Sequence, residues 1–408
     1  MRILHTIQSL ASGGLEDRTL DTMAWQASNG HHVVLAAAPN SRTFQRARAA
    51  GIIVEPVAFR GGLRPRLISR LRKAIRGHHI DVIDTHCNRD SSVALFCTDL
   101  CAVVRTRHSK NRQPKRSFWR RMRWWAAYDH VIATATAIAD ELIEEGVTLP
   151  PHTSMIGEWA GDEFFADAEN RAEVPGLRRA LGLRDGAITI GTVGMMRREK
   201  GFDHLIRVVA LLREKGLAVN CVIVGGGDDG ITDELRALTR ELGLEDWIFF
   251  TGYRADVAPL MHVFDIMVVP SLRESQTRVV PQAFACGRPV IAYATGGLPE
   301  LIADGVTGWL SPTGDVAHLA DRIYIAANSP EETATIAAAA RDYARDNMRL
   351  ELKMQHTIAA YERAIERAGT DRFVRPLSLS ASSSLASRLS LPTSWPVFWP
   401  SGIRKSPL

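Results

Sequence analysis

The segment that decides the fold of this 408-residue chain reads Pro270-Ser-Leu-Arg-Glu-Ser-Gln-Thr-Arg-Val-Val-Pro-Gln-Ala-Phe-Ala-Cys-Gly-Arg-Pro-Val-Ile-Ala292. An apolar strand is predicted to end where it begins, a helix follows over residues 278–286, and a second strand over residues 289–292. The carboxylate of Glu274 stands at the end of the first strand, and the amide of Gln282 comes eight residues later. These two polar groups belong either to a ligand site or to a plain strand, turn and buried helix.

The same alternation of apolar strands and helical patterns extends outward over most of the chain. Strands are predicted in the first half over residues 3–7, 32–37, 52–56, 80–85, 102–106 and 131–133. In the second half they are predicted over residues 187–193, 218–224, 247–250, 265–269 and 289–292. Such alternation is typical of parallel sheets covered by helices on both faces. The pattern therefore predicts an α/β fold with two tandem Rossmann-like domains.

A stretch rich in glycine and acidic residues interrupts the pattern after Gly157, and the domain boundary is predicted between Glu158 and Pro175. We expect an N-terminal domain over residues 1–165 and a C-terminal domain over residues 166–345. A helix over residues 346–367 is expected to pack back on the N-terminal domain. Residues 368–408 are rich in serine and proline, which predicts a disordered tail.

Composition indicates an ordinary globular protein, with 46% hydrophobic and 23% charged residues. No apolar run is long enough to span a bilayer, and polar residues interrupt the N-terminal strand before a secretory core can form. A cytoplasmic location is expected. The five cysteines are scattered and lack C-x-x-C spacing, which predicts small buried side chains: Cys87, Cys97, Cys101, Cys221 and Cys286.

A local basic block is the main charge feature, with nine Lys or Arg residues and no acid between Arg105 and Arg123. From Arg112 to Tyr128 the cations are interleaved with aromatic residues, and a helix there would be amphipathic. Such a helix suits an anionic membrane surface, as a peripheral contact at the inner face of the plasma membrane. The alternative is a core-packing helix with a solvated face. No nucleic-acid-binding module is recognisable, so no nucleic-acid partner is expected.

Three loops that follow predicted strands carry glycines or cations suited to a phosphate-bearing ligand. Gly13 and Gly14 precede the first helix, whose free N–H groups favour an anion. After the first strand of the second half, Lys200 with Arg197 or Arg198 is predicted to hold a diphosphate. Gly225 lies in a third such turn. Each loop has a structural alternative, namely a tight turn or a solvated charged segment.

The residues from Pro270 onward resemble the donor-binding half of the family-4 retaining glycosyltransferases (group 1 glycosyltransferases). These enzymes have the GT-B fold, which implies that the two Rossmann-like domains face an interdomain cleft. The family pattern is P-S-x-x-E-(seven residues)-E-A-x-A-x-G-x-P-V-(I/V)-A, followed by G-G-x-P-E and D-G-x-T-G. The chain matches it at Pro270, Ser271, Glu274, Ala283, Ala285, Gly287, Pro289, Val290, Ile291, Ala292, Gly296, Gly297, Pro299, Glu300, Asp304, Gly305, Thr307 and Gly308. The resemblance extends over residues 1–367.

Two positions depart from the family pattern. Met195 stands where the family has an arginine, so Arg197 or Arg198 is expected to replace it. Gln282 stands where the family has its second glutamate, which holds the ribose diol of the nucleotide. The amide oxygen of Gln282 is still an acceptor, although a neutral and weaker one. The resemblance implies that Glu274 contacts the hydroxyl groups of the donor sugar.

The resemblance also implies the other site residues. His86 and Glu274 are predicted to be catalytic, and Gly13 and His108 to bind the acceptor in the N-terminal domain. For each histidine the alternative is a purely structural role. The donor-binding residues are predicted to be Gly14 in the first loop of the N-terminal domain and, in the C-terminal domain, Arg197, Arg198, Lys200, Gly225, Arg254, Gln276, Thr277 and Gln282.

The implied activity is transfer of a sugar from a nucleotide-sugar to a glycan or lipid-linked acceptor with retention, in cell-surface polysaccharide or lipopolysaccharide synthesis. No D-x-D sequence occurs, so no metal is expected, and no cofactor besides the nucleotide-sugar co-substrate. Cations and helix N-termini would then stabilise the leaving diphosphate. One alternative is a catalytically silent sugar-nucleotide-binding protein, suggested by Met195 and Gln282. The other is a glycoside hydrolase with paired carboxylates.

Overall fold

The computed structural model describes residues 1–10, 13–60, 64–109, 128–227 and 229–371 of the chain. The basic aromatic helix predicted from Arg112 lies outside these residues except for Tyr128. Of the tail predicted over residues 368–408, residues 372–408 lie outside them, whereas residues 368–371 belong to the last helix, which corrects the predicted start of the tail. The basic aromatic helix and the tail after residue 371 stay predictions. None of the helices in the described ranges is long and apolar enough to cross a membrane.

The first half of the chain forms one sheet of seven parallel strands. They are β1 (Arg2–Ile7), β2 (His32–Ala37), β3 (Ile53–Pro56), β4 (Val82–Thr85), β5 (Ala102–Arg107), β6 (His130–Ala133) and β7 (Thr153–Met155). Their order across the sheet is β3-β2-β1-β4-β5-β6-β7. The central strands are rich in β-branched residues and buried throughout, as expected for strands covered on both faces.

Five described α-helices belong to this first sheet: α1 (Gly14–Ser28), α2 (Arg42–Ala49), α3 (Pro65–Gly77), α4 (Asn88–Ala94) and α5 (Thr136–Glu144). Local sequence sets where several of them begin. The Ser41 hydroxyl accepts a hydrogen bond from the Phe44 N–H and so caps α2. Pro65 occupies the first turn of α3, where its missing N–H is not needed.

The second half forms a six-stranded parallel sheet. Its strands are β8 (Ile188–Val193), β9 (Val219–Val224), β10 (Ile248–Gly252), β11 (Ile266–Val269), β12 (Val290–Tyr293) and β13 (Trp309–Ser311), in the order β10-β9-β8-β11-β12-β13. The helices around it are α6 (Asp167–Leu181), α7 (Phe202–Glu214), α8 (Asp229–Glu241), α9 (Val257–Val263), α10 (Val279–Ala285), α11 (Leu298–Leu301), α12 (Val316–Asn328) and α13 (Pro330–Asn347).

The predicted α/β class and the two tandem parallel units are confirmed. All eleven predicted strands are present, with ends that shift by at most two residues. The prediction missed β7 and β13, which contain three residues each and lie at sheet edges. Edge strands this short carry too few apolar positions to form a periodic pattern, and the polar Thr153, Ser154 and Ser311 interrupt it further.

The last helix, α14 (Leu350–Asp371), leaves the second unit and packs against β5 and β6 of the first sheet. Ala360, Tyr361 and Ala364 share a core there with Ile3 and Val104. The chain thus passes between the units twice. The two crossing segments are hydrogen-bonded to each other, since Ala160 N–H donates to the Met348 carbonyl (2.9 Å) and Leu350 N–H to the Ala160 carbonyl (3.2 Å).

Two members of the basic block differ from the prediction of a charged surface. Arg105 and Arg107 lie in β5 and are only 5% and 7% exposed. Their guanidinium groups donate to Asn88 Oδ1 at 2.7 and 3.2 Å. These two cations are therefore part of the interior, because the strand that carries them is central in the sheet.

Candidate active site between the two sheets

A cavity of about 640 Å³ lies where the carboxyl ends of strands from both sheets face each other. The first unit contributes the start of α5, through Ala135, Ala137 and Ile138. The second unit contributes the loops after β8, β11 and β12, through Arg197, Glu199, Lys200, Arg273, Glu274, Ser275, Thr295, Gly296 and Gly297. In doubly wound sheets this edge is where ligands bind.

Glu274 and Lys200 form an ion pair in this cavity, with Lys200 Nζ 2.5 Å from Glu274 Oε2. The side chain of Glu274 is 9% exposed and that of Lys200 is 24% exposed. Ser271 Oγ donates to the same carboxylate oxygen at 3.3 Å. The site therefore places an acceptor of sugar hydroxyl hydrogens next to a cation that suits a phosphate.

Glycines hold the three loops of the second unit against one another. Gly296 has a φ of +58°, and a Cβ there would lie 1.4 Å from the Glu274 carbonyl oxygen. Gly201 has a φ of +64°, and its Cβ would lie 2.1 Å from the Pro270 carbonyl oxygen. Both positions need glycine for its left-handed backbone and its small size. The G-G-x-P-E and K-G sequences thus fix the backbone that carries Glu274.

Four arginines near the predicted donor site lie in different places. Arg197 lines the cavity, and so does Arg273, which was not among the predicted residues. Arg198 instead pairs with Glu234 at 2.7 Å, with its side chain 74% exposed. Arg254 pairs with Asp256, two residues along the chain. Of the two substitutes for the family arginine, Arg197 lines the cavity, whereas Arg198, the first residue of a short 3-10 turn, does not.

Gln276, Thr277 and Gln282 are not among the residues that line this cavity. Gln276 lines a second cavity, of about 410 Å³, which shares Ala137 with the first. Its Oε1 accepts a hydrogen bond from Glu158 N–H at 3.2 Å. Thr277 is buried, and its hydroxyl faces the Val279 N–H at the start of α10 (3.4 Å). Gln282 is half-buried on α10, and its role toward the ribose stays a prediction.

The remaining predicted glycines have local roles in the described structure. Gly225 brings the ends of β8 and β9 together, since a Cβ there would lie 1.8 Å from the Gly194 carbonyl oxygen. Gly13 is the N-cap of α1 and Gly14 its first residue. A Cβ added at Gly14 would have no described atom within 4 Å. Open space at the start of a helix is compatible with the anion site predicted there.

Three further polar residues of the cavity were not predicted: Glu199, Ser275 and Thr295. Each is within one residue of a position that the sequence pattern selected. The only feature of the sequence that pointed to these three residues was therefore their place in the predicted loops. Which side chains of a loop point inward depends on the turn geometry and could not be read from spacing.

Two contacts join the units beside the cavity. The Glu300 carboxylate accepts from Thr136 N–H (2.7 Å) and Ala137 N–H (3.0 Å), the first two helical residues of α5. It therefore caps a helix of the other unit, whose own N-cap Ala135 has no side-chain acceptor. Arg278 also donates to Asp21 on α1 at 2.6 Å.

The two predicted histidines lie at the carboxyl edge of the first sheet and contact each other. His86 Nδ1 is 3.0 Å from His108 Nε2, and His86 Nε2 is 3.0 Å from His5 Nδ1. Both ring nitrogens of the buried His86 therefore face other histidines, while His108 is partly exposed. Any ring contact of this pair with a substrate has to come from His108. His5 was not predicted, because it lies inside a strand and not at its end.

The sequence matches known family models over most of its length. A model described as "Glycosyl transferases group 1" matches residues 187–328, and one described as "Glycosyltransferase Family 4" matches residues 12–152. One match lies in the first unit, where it leaves out β1 and β7, and the other covers all six strands of the second sheet.

Curated relatives include D-inositol 3-phosphate glycosyltransferases. That of Kribbella flavida is 32% identical over 311 residues, which is 71% of this chain and 72% of the relative. That of Mycobacterium marinum is 36% identical over 257 residues, 60% of this chain and 53% of the relative. A 2-deoxystreptamine glucosyltransferase of Streptomyces kanamyceticus is 29% identical over 48% of this chain and 50% of its own length.

Solved structures share the fold. A glycosyltransferase from Rickettsia africae superposes with a TM-score of 0.81 at 20% identity, over 90% of this chain and 98% of that one. Anabaena HepE, solved in complex with UDP and glucose, gives a TM-score of 0.75 at 23% identity, over 89% and 99%. With both family models, the Kribbella relative and these superpositions in agreement, the chain belongs to the family-4, or group 1, glycosyltransferases and has their GT-B fold.

Proposed function

We propose that this glycosyltransferase moves a sugar from a nucleotide-sugar to an acceptor hydroxyl with retention of the anomeric configuration. The observation that supports it is the Lys200–Glu274 pair in a cavity between the two units. A nucleotide-sugar carries a diphosphate next to a sugar with several hydroxyl groups. Lys200 offers a cation for the diphosphate, and the adjacent Glu274 offers a carboxylate for the hydroxyl groups.

The donor would be held by groups of the second unit. Lys200, Arg197 and Arg273 supply the positive charge that a diphosphate needs as it departs. Glu274 accepts hydrogen bonds from sugar hydroxyls and so aligns the reacting carbon. In this proposal the cationic side chains carry the leaving-group charge, and no metal is required. UDP-glucose is the first donor to test, because it is bound in a structure of HepE.

The acceptor is expected at the carboxyl edge of the first sheet, near His108. Two acceptor classes are worth comparing. One is a glycan or lipid-linked acceptor of cell-surface polysaccharide or lipopolysaccharide synthesis, which the basic aromatic segment would bring to a membrane. The other is a phosphorylated polyol, because the curated relatives are named for D-inositol 3-phosphate.

Donor binding is tested by thermal shift of the full chain with nucleoside diphosphates and their sugars. A ligand at 100 times its Kd adds about 2.7 kcal/mol to the free energy of unfolding. Lys200→Met should abolish the shift, and Arg198→Ala is the matched control outside the cavity. No shift with any nucleoside diphosphate would contradict the proposal.

Transfer is then tested with the donor that gives the largest shift and with both acceptor classes, and the linkage of the product is determined by NMR. A product with the donor's anomeric configuration supports retention. Donor binding without transfer to any acceptor would favour the catalytically silent alternative, and release of free sugar from a glycan without nucleotide would favour a hydrolase. Membership of a transferase family speaks against the last outcome.

A further inference from the structure

Three histidines and one glutamine form an unbroken chain of side-chain contacts through the first unit. Gln26 Oε1 is 2.8 Å from His5 Nε2, and the contacts from His5 to His86 and from His86 to His108 are both 3.0 Å. The histidines come from the adjacent strands β1, β4 and β5 or from the residues just after them. This histidine chain thus runs from the core to the carboxyl edge of the sheet.

In each histidine pair the two imidazole rings contact each other through one ring nitrogen of each. In both histidine pairs the ring centroids are 5.3 Å apart and the contacting nitrogens 3.0 Å apart. The difference matches two imidazole radii, so the nitrogens lie close to the line between the ring centres. This is the geometry of a near-linear N–H···N hydrogen bond.

The same geometry does not suit a metal ion, although His5, His86 and Asp84 lie close together. A zinc ion binds imidazole nitrogen at about 2.0–2.1 Å along its lone pair. Between His5 and His86 the two lone-pair directions point at each other across only 3.0 Å. There is no space for an ion on that line, so a shared proton is the better account of the contact.

The buried end sets the direction of every hydrogen bond in the histidine chain. Gln26 Oε1 can only accept, so His5 Nε2 donates to it and His5 Nδ1 has a lone pair. His86 Nε2 then donates to His5, and His108 Nε2 donates to His86 Nδ1. A neutral imidazole has one N–H, so the Nδ1 of His108 is left with its lone pair.

The amide of Gln26 lies beside the Tyr361 hydroxyl of α14, and its buried Nε2 has no hydrogen-bond partner within the described residues. The Tyr361 hydroxyl on α14 donates to Asp84 Oδ2 at 2.6 Å, so its oxygen is left as an acceptor. Burial raises the pKa of Tyr361 well above its ordinary value, Asp84 adds to the rise, and the Gln26 amide opposes it. In the structure the oxygen end of the amide faces His5, and the tautomer of His108 reports on that orientation.

The histidines are also kept neutral. Burial, together with the positive charge of the buried Arg18 guanidinium, lowers the pKa of His86 to about 3. Burial likewise lowers the pKa of His5 to about 4, although the Asp84 carboxylate opposes this shift. Burial also lowers the pKa of His108 well below its ordinary value, with His86 and Arg18 adding to the effect. A neutral histidine chain with one fixed direction has a single tautomer at its outer end.

We propose that Gln26 and His5 are positioning residues, which act through His86 to hold His108 as the tautomer with an unprotonated Nδ1, ready to accept a hydrogen bond from a substrate hydroxyl. His108 is not among the residues that line the cavity of about 640 Å³, but the register of its strand places it at the same edge of the sheet. Arg107 is paired with Ala133 in the parallel register of β5 and β6, so His108 lies level with Thr134, next to the cavity-lining Ala135. The substrate part of this inference rests on the proposed function, whereas the tautomer part does not.

The tautomer is measured directly on the full chain labelled with ¹⁵N-histidine, by long-range ¹H–¹⁵N correlation spectra. The peak patterns distinguish Nδ1–H, Nε2–H and doubly protonated rings, and single His→Gln variants assign them. We expect His5, His86 and His108 each to be neutral with the proton on Nε2. A His108 that carries its proton on Nδ1, or that mixes both tautomers in the wild type, would overturn the proposal.

Variants test the positioning role. His5→Phe removes the acceptor for His86, and Gln26→Leu removes the one for His5, so each should produce mixed tautomers at His108. The matched control is His130→Phe, a buried histidine of β6 that contacts Ser154 and lies outside the histidine chain. An unchanged His108 pattern in both folded variants would refute the role, and the wild-type spectrum remains decisive if neither variant folds.

Kinetics supply the functional readout. With a working donor and acceptor, His5→Phe should lower kcat by roughly tenfold to a hundredfold and change the donor KM little. This loss is smaller than the full rate enhancement by a positioned proton acceptor, because His108 itself is still present. His130→Phe should leave kcat near the wild-type value. If no substrate pair gives turnover, the proposed function fails while the spectra still decide the tautomer.

Discussion

Lys200 Nζ and Glu274 Oε2 lie 2.5 Å apart, although 74 residues separate them in the chain. Each of the two side chains comes from a loop that a glycine holds in place, Gly201 beside Lys200 and Gly296 against the backbone of Glu274. The pair is thus built by two tight loop contacts and not by a helix or strand. Its geometry should respond sharply to changes in either loop.

Replacing Glu274 by glutamine should lower kcat by at least about tenfold, because a neutral amide is a weaker hydrogen-bond acceptor for sugar hydroxyls at the reacting centre. The donor KM should change less. Steady-state kinetics with varied donor separate the two. Glu234→Gln is the control, since Glu234 pairs with Arg198 at an exposed position. Wild-type kcat in Glu274→Gln would remove Glu274 from the catalytic role.

Arg197→Ala should weaken binding of a nucleoside diphosphate by about tenfold, the typical effect of losing one charge-assisted hydrogen bond. Arg198→Ala should leave the Kd unchanged, because that side chain points to Glu234 and is exposed. Isothermal titration calorimetry on both variants gives the comparison. Equal losses would mean that the net charge of the loop matters, and not the position of Arg197.

Gly296→Ala and Gly305→Ala form a matched pair. Both glycines have a positive φ, +58° and +73°, so both substitutions should cost about 1–2 kcal/mol of stability from backbone strain. Only at Gly296 would the new methyl group collide with the Glu274 backbone, whereas Gly305 has open space. We therefore expect a loss of kcat in Gly296→Ala alone. Full activity in both folded variants would contradict the loop packing.

Glu300→Ala should lower the free energy of unfolding by about 1 kcal/mol, because two N–H groups at the start of α5 lose their cap. Thermal unfolding measures this. Glu332→Ala, in the first turn of α13, is the control for losing an acidic residue near a helix start. Since Glu300 joins the two units, its loss should also raise the radius of gyration in X-ray scattering, and an unchanged radius would show that other contacts hold the units together.

Acid should destabilise the protein below about pH 6.5, where histidines of the unfolded chain take up protons. Burial lowers the pKa of His5 to about 4 and of His86 and His130 to about 3, so the folded state stays neutral there. The stability that these histidines contribute is complete above about pH 6.5, the ordinary histidine pKa. It is lost as pH falls from there toward the lowered pKa values of the folded state, at about 1.4 kcal/mol per pH unit for each histidine. Urea unfolding at about pH 7.5 and about pH 5.5, on either side of the ordinary histidine pKa, gives the slope. His130→Gln should make it shallower, and an identical slope would contradict the assignment.

The sequence determined the fold class, the two parallel units and the loops of the cavity. These features follow from local rules. Strand and helix periodicity is visible within one element, and a glycine such as Gly296 is required by the conformation of its own loop. The family pattern from Pro270 to Gly308 then selected Glu274. Lys200 was predicted separately, from its cationic loop after the first strand of the second half.

The tertiary structure decided which side chains meet. Arg197 and Arg198 are neighbours in sequence, yet one lines the cavity and the other pairs with Glu234. Glu300 caps a helix that begins 164 residues earlier in the chain. The histidine chain joins residues whose spacing follows no period, because they meet only when β1, β4 and β5 pair side by side. Contacts of this kind depend on strand order and on the docking of the two units, and neither is encoded in the pattern of a single segment.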